Sequence, residues 1–252
     1  MAGAFIAAGA VFATTVTTGA AGEMTYGVTK FLGGFVFCLG LVLVIGAGAE
    51  LFTGNNLIVM AWAGGKVTTA KLLRNWVIVY IGNFVGSILA AAGMFLTGQY
   101  SFSGGAVGLN ALNIANGKMQ YGFGQAIMLG IFCIALVCLA VWLAMGGRSG
   151  TDKILAIIFP ITAFVAAGFE HSVANMYFIP IGLFIKAGAP ASFWAEIGKR
   201  TADYADLTWS NFFVANLLPV SIGIFTAVRC SLAACTGLFI YGRAGPADKA
   251  KL

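Results

Sequence analysis

Two apolar stretches in this sequence are too long to cross a bilayer once, and each is broken near its middle by polar residues. This pattern limits the fold more than any other feature. A helix crossing the hydrocarbon core takes about 20 mostly apolar residues. Six stretches qualify: Met1–Gly19, Lys30–Trp62, Trp76–Leu96, Tyr121–Met145, Ile154–Ile185 and Leu207–Tyr241. GAELFTGNN (Gly48–Asn56) interrupts the second, and GFEHSVAN (Gly168–Asn175) interrupts the fifth. Unwound backbone at membrane depth persists only where protein covers it or where it lines a cavity.

Composition agrees with a membrane chain. Of the 252 residues 60% are hydrophobic and 9% are charged, against about 25% charged in an ordinary soluble domain. The net charge of +6 suits loops facing an anionic leaflet. It does not point to nucleic acid, because no basic cluster is interleaved with aromatic residues. The five cysteines show no CxxC spacing and read as small apolar side chains. With a single histidine in the chain, metal or haem ligation has no second imidazole to use. No cofactor is expected.

The loops set an orientation. Lys66, Lys71 and Arg74, then Arg148 and Lys153, then Arg243, Lys249 and Lys251 share one side. The other side mixes Glu23, Lys30, Lys118, Lys186, Glu196, Lys199, Arg200, Asp203 and Asp206. Basic loops stay inside, so both termini are expected in the cytoplasm. The first stretch has no charged leader. It reads as a transmembrane helix whose leading cytoplasmic segment is missing.

An internal repeat supports the same layout. Glu50-x4-Asn55 recurs as Glu170-x4-Asn175, and Asn75-x6-Gly82 recurs as Asn216-x6-Gly223. The expected fold is an all-α membrane protein. Its six transmembrane helices form an inverted 3+3 repeat, with helices two and five broken. Residues 1–252 form a single channel domain, with repeat one about 1–100 and repeat two about 121–241. Inverted repeats with breaks at the midplane mark a permeation site. Half-helices restarting there expose free N–H groups and a positive dipole end, which attract an anion.

His171 and Glu170 sit in the second break. Ionisable groups inside membrane segments mark a pathway or a proton relay. Histidine is the side chain most easily moved across neutral pH. An empty pore would hold it neutral, and an arriving anion could share or take its proton. The plainer reading makes it a hydrogen-bonded peg between helices. Glu50 and Glu170 read first as structural carboxylates tying down orphan N–H groups at the breaks, with proton handling as the alternative. Asn55 and Asn175 read as satisfying backbone in the same way. Asn175 also lies on the face of His171 if the helix has resumed.

GAELFTGNNLIVMAW, NWVIVYIGNFVGS and GFEHSVANMYFIP resemble signatures of the formate/nitrite transporter family, nearest to its bacterial formate channels. The resemblance runs from residue 1 to about Gly223. It implies an aquaporin-like protomer, a homopentamer in the bacterial inner membrane, and passage of formate, with nitrite or hydrosulfide as alternatives. It implies no enzymatic reaction. It makes His171, Thr53 and Asn175 the pore centre. Leu41, Leu51 and Phe52 become a cytoplasmic constriction, Phe37 and Phe164 a periplasmic one, and Lys118 a vestibule lysine that concentrates anions. A water or polyol channel would need paired NPA motifs, and none is present; an intramembrane hydrolase would need a GxSG serine within a membrane stretch, and the GxSG at Gly147–Gly150 lies in a charged loop.

The ending departs from the pattern. Repeat one reads GNFVGS at Gly82–Ser87, while repeat two reads GIFTAVRCSLAACTGLFIY at Gly223–Tyr241, with Arg229 inside the span. A message chosen to encode NFHGGAVFVGCLYWFIYL yields IFTAVRCSLAACTGLFIY once its first base is deleted. Residues 224–252 are therefore expected to be frameshifted, which would make Arg229, Cys230 and Cys235 artefacts. Resequencing the gene should find the missing base near codon 224. A tail peptide containing Arg229, recovered by mass spectrometry from an error-free gene, would overturn this.

Overall fold

The computed structural model describes residues 1–20 and 22–227. Arg229, Cys230, Cys235 and the rest of the proposed frameshifted tail beyond Ala227 lie outside the described residues. Those described are helical, with no β-strand among them. The chain order is α1 (Ala2–Val16), α2 (Tyr26–Gly46), α3 (Phe52–Asn55), α4 (Ile58–Ala63), α5 (Thr69–Leu96) and α6 (Ala106–Gly117). Then come α7 (Phe123–Gly146), α8 (Gly150–Ala166), α9 (Ser172–Gly188), α10 (Ala191–Glu196) and α11 (Trp209–Asn211). The last of these runs on through a π-turn at Phe212–Leu217 and a helical segment over 218–227.

Among the described residues four helical segments are long and apolar enough to cross a membrane: Tyr26–Gly46, Thr69–Leu96, Phe123–Gly146 and Thr201–Ala227. Ala2–Val16 and Ser172–Gly188 are apolar but shorter. The second and fifth apolar stretches each divide into separate helices. α2 stops at Gly46 and α3 begins at Phe52; α8 stops at Ala166 and α9 begins at Ser172.

Both stops are built alike. Gly48 and Gly168 take positive φ angles of 64° and 75°, a conformation that costs glycine little. The chain then turns back to satisfy the last carbonyls. Ala49 N–H donates to the Val44 carbonyl at 2.9 Å, and Phe169 N–H donates to the Phe164 carbonyl at 3.0 Å. This is the hydrogen-bonded helix stop that follows a C′ glycine. The starts of the other helices are also marked in the sequence. Thr68 caps α5 by accepting from Lys71 N–H, and Ser149 with Asp152 forms a reciprocal capping box on α8.

The long helices pack through small residues. Gly9 of α1 faces the backbone of α2 at Phe37 and Gly40, and Gly130 of α7 faces the Val220 carbonyl. Gly34 of α2 lies on Thr162 of α8, where an added Cβ would stand 2.7 Å from the Thr162 carbonyl oxygen. Cys38, one turn further along α2, reaches the same Thr162 hydroxyl at 3.5 Å. Close approach of backbones is how helices associate where lipid is as apolar as leucine.

Two short helices, α6 and α10, were not evident from the sequence. α6 (AVGLNALNIANG) is too short and mixed to cross a membrane, yet it buries Val107, Ala111, Leu112 and Ala115. Its packing partner is α9.

Gly34→Ala should lower the stability of the purified protein by about 1–3 kcal/mol, the usual cost of overpacking a tight contact. Gly27→Ala, whose added Cβ meets nothing within 4 Å, serves as the control. A thermal melt of both variants in detergent checks this; equal melting points would refute it.

Candidate functional site

The two helix restarts meet at one hydrogen bond. Thr53, in the first turn of α3, lies 3.0 Å from Nε2 of His171 through its Oγ1. His171 is the N-cap of α9, and its Nδ1 accepts the backbone N–H of Ala174 at 3.0 Å. An Nδ1 that accepts carries no proton. In the neutral ring Nε2 therefore holds the hydrogen and donates it to Thr53. Both side chains are buried, at 0% and 3% exposure.

One cavity of about 650 Å³ ends on His171. Lys30, Phe37, Lys118, Phe164, Glu170 and Asn175 are among the residues that line it. It opens beside the loop before α2, at Gly22 and Met24, beside Lys30 in the first turns of α2, and beside Lys118 at the end of α6, on the side with the weaker positive bias. Three phenylalanines stand beside the histidine. Phe37 meets Phe164 edge-on at 5.8 Å and stacks on Phe178 at 6.3 Å, and Phe164 lies 5.9 Å from the His171 ring. Phe178 was not anticipated. Its one signal in the sequence is its place seven residues after His171, on the same helix face.

Lys118 lines the cavity with its charge matched. Its Nζ donates to Glu170 Oε1 at 2.9 Å and Oε2 at 3.0 Å, and sits 5.4 Å from the centre of the Phe178 ring. Asn175 Nδ2 donates to Glu170 Oε2 at 2.6 Å and to Asn216 Oδ1 at 2.8 Å. Asn216 Nδ2 closes the network on the Lys118 carbonyl at 3.0 Å. The first half repeats this without a lysine. Asn55 and Asn75 each donate to Glu50 Oε2 at 2.9 Å, and Asn55 also donates to Asn75 Oδ1 at 2.9 Å.

The carboxylates thus do not take the orphan backbone N–H groups, contrary to the sequence reading, and neither do Asn55 and Asn175. All four are occupied with side-chain partners. The backbone at the breaks is met by other groups. Asn83 of α5 accepts the Phe52 N–H at 2.9 Å and donates to the Glu50 carbonyl at 3.0 Å, and His171 itself takes Ala174. Asn83 follows Gly82 in the repeated spacing, which was the available signal. Its counterpart in the second repeat is Ile224, fully buried and unable to hydrogen-bond.

Leu41, Leu51 and Phe52 are buried, and none lines the His171 cavity. Phe52 turns away from it. Its ring packs edge-on against Tyr80 at 4.9 Å and against Phe225 at 5.4 Å, between α5 and the last helix.

Membrane-length helices around a largely apolar cavity, lined at one point by the His171 of a buried His–Thr pair, define a multi-pass membrane protein. The family model described as Formate/nitrite transporter matches residues 1–227. The chain is 45% identical over 222 residues to the formate channel FocA of Escherichia coli K12, covering 88% of this chain and 78% of that one. It is 43% identical over 238 residues to the formate channel FocA of Haemophilus influenzae, covering 94% and 82%. A solved structure described as a pentameric formate channel with formate bound superposes with a TM-score of 0.91 at 47% identity, covering 95% of this chain and 94% of that one. The chain belongs to the formate/nitrite transporter family.

Breaking one side of the Lys118–Glu170 pair should be costly. Lys118→Met leaves a carboxylate that is 3% exposed without its cation, a loss of about 3–5 kcal/mol. The double variant Lys118→Met/Glu170→Gln should recover a large part of it. Denaturation of the single and double variants measures the coupling; additive losses would remove the pair from the list of stabilising contacts.

Proposed function

We propose that the protein is a transmembrane channel for formate and similar small monovalent anions, with proton sharing at His171. One observation carries the reading: the Thr53–His171 hydrogen bond, formed between two helix restarts at matching repeat positions, with its histidine lining the cavity. The family membership and the relatives named as formate channels support it.

In this reading the chain crosses the membrane six times as an aquaporin-like inverted repeat. α1, α2 with α3 and α4, and α5 form one half. α7, α8 with α9, and the last helix form the other. The protomers assemble as a homopentamer in the inner membrane with both termini cytoplasmic. The matching Glu–Asn–Asn clusters in the two halves favour the repeat. Formate gathers in the cavity and passes the ring of Phe37, Phe164 and Phe178. At the centre it meets the hydroxyl of Thr53, held by the Nε2–H of His171, with Asn175 behind them. Leu41 and Leu51 close the far side, with Phe52 packed as their support. A bare anion loses much hydration energy in such a constriction. A proton lent by His171, once the ring has taken up a second proton, lowers that cost and returns the ring to its neutral form, because a neutral acid crosses apolar rings more easily. The pore binds and passes its substrate without making or breaking bonds.

Labelled-formate flux into proteoliposomes tests this, at about pH 5.5 and about pH 7.5, on either side of the ordinary histidine range. The wild type should carry formate with a clear pH dependence, and His171→Phe should lose that dependence. Nitrite and hydrosulfide run as competitors. If either passes far better than formate, the substrate assignment falls while the channel stands. If His171→Phe behaves as wild type, the histidine is a structural peg.

A further inference from the structure

We infer that Lys30, and not Lys118, supplies the uncompensated positive charge that draws anions into the cavity; this rests on the channel reading above. The cavity is lined by two lysines and one glutamate, Lys30, Lys118 and Glu170. Glu170 holds the Lys118 ammonium through both oxygens, at 2.9 and 3.0 Å. To an approaching anion that pair presents a dipole with no net charge, its ammonium the more exposed end at 15% against 3%. Lys30 differs. Among the described residues no carboxylate lies within ion-pair distance of it, and the two ion pairs found there are Lys118–Glu170 and Arg200–Asp203.

What Lys30 does touch leaves its charge intact. Its Nζ sits 5.5 Å from the centre of the Tyr26 ring, one turn earlier on α2. An aromatic face orients an ammonium through its quadrupole without cancelling its charge. Tyr26 is 74% exposed and also lines the cavity, so the pair stands where solvent enters. The rest of the polar lining, including Thr17, Thr29, Asn110, Asn113 and Tyr121, is neutral at physiological pH. Three charged groups in the lining with one cancelling pair leave a net of +1 there, and that charge is on Lys30; Glu23, between the lining residues Gly22 and Met24, is exposed and outside the lining.

The two lysines therefore divide the work. Lys118 keeps Glu170 and Asn175 in place behind the histidine. Lys30 raises the local concentration of any small anion by a long-range field. Such a field acts on encounter and is screened by salt.

Initial rates of formate uptake into proteoliposomes, against formate concentration, separate the two roles. They are measured in a salt of a bulky organic anion at about 0.01 M (Debye length ~30 Å) and about 1 M (~3 Å). At low salt Lys30→Gln should raise the half-saturating formate concentration by roughly tenfold, with the maximal rate unchanged. Lys30→Glu should raise it further, and Lys30→Arg should restore it. At high salt wild type and Lys30→Gln should converge. The Lys118→Met/Glu170→Gln variant, which keeps the net charge at +1, should retain the wild-type salt dependence. The inference is overturned if Lys30→Gln matches wild type at low salt, if its deficit persists unchanged at high salt, or if the salt dependence vanishes in the Lys118 double variant. If wild-type vesicles take up no formate but do take up nitrite, the substrate reading fails, and the same comparison with nitrite still decides on Lys30.

Discussion

Backbone polar groups that end up away from water must find partners, and the two interruptions create the largest such demand in this molecule. Each leaves carbonyls at the end of one helix and N–H groups at the start of the next. The carbonyls are met identically in both halves, by a glycine at positive φ and a returning N–H. The N–H groups are met differently. In the first half a neighbouring helix lends Asn83, which grips Phe52 N–H and the Glu50 carbonyl together. In the second half the cap is the side chain of His171. The residue that stabilises the restart of α9 is therefore also the one that reaches across to Thr53. Structural peg and pore face are two nitrogens of one ring, so the choice between them posed by the sequence is not exclusive.

The stops and the centre were legible in the sequence for physical reasons. A glycine followed by a glutamate after an apolar run marks a helix end, and it occurs twice at a spacing of 120 residues, at Gly48 and Gly168. A lone histidine amid apolar residues is conspicuous. Hydrogen-bond pairing was not legible. Glu50 and Glu170 looked like caps because carboxylates often are, but which donor reaches a carboxylate depends on the separation of helices far apart in the chain. Asn75 and Asn216 were visible as repeated letters, yet their partners were not. Phe52 shows the same limit. Beside a polar centre in sequence, it sits about 100° around the helix from Thr53, which sends its ring towards Tyr80 and Phe225. The short helix α6 was hidden because its mixed pattern resembles a loop until α9 covers it.

The two halves also differ in charge. The clusters Glu50–Asn55–Asn75 and Glu170–Asn175–Asn216 share their Asn–Glu and Asn–Asn bonds, but only the second, beside the cavity, contains a lysine, and there the last asparagine donates to the Lys118 carbonyl where Asn75 donates to Glu50. A carboxylate so little exposed needs a cation or it is strongly destabilised. Glu50 is exposed and does without one. Lys118 is thus explained by the burial of Glu170 alone, before any role in transport is invoked.

The hydrogen-bond directions around His171 also constrain how a proton could move in the proposed mechanism. Nδ1 faces an N–H of the helix backbone, so a second proton placed there would confront a donor with a donor, and the first turn of α9 would lose its cap. Nε2 already bears its hydrogen and gives it to Thr53. With that bond accepted, the hydroxyl hydrogen of Thr53 is free to point at an arriving anion. A carboxylate in the centre can receive a hydrogen bond from Thr53 while Thr53 receives one from His171. What passes along this chain is a hydrogen bond, because a neutral ring that gave up its one N–H would become an imidazolate, far too strong a base to form at the expense of a carboxylate. A proton can be lent only by a ring that has first taken a second one, and the nitrogen free to take it is Nδ1. Proton sharing at this centre therefore requires Nδ1 to give up the Ala174 N–H, which couples it to loosening of the first turn of α9.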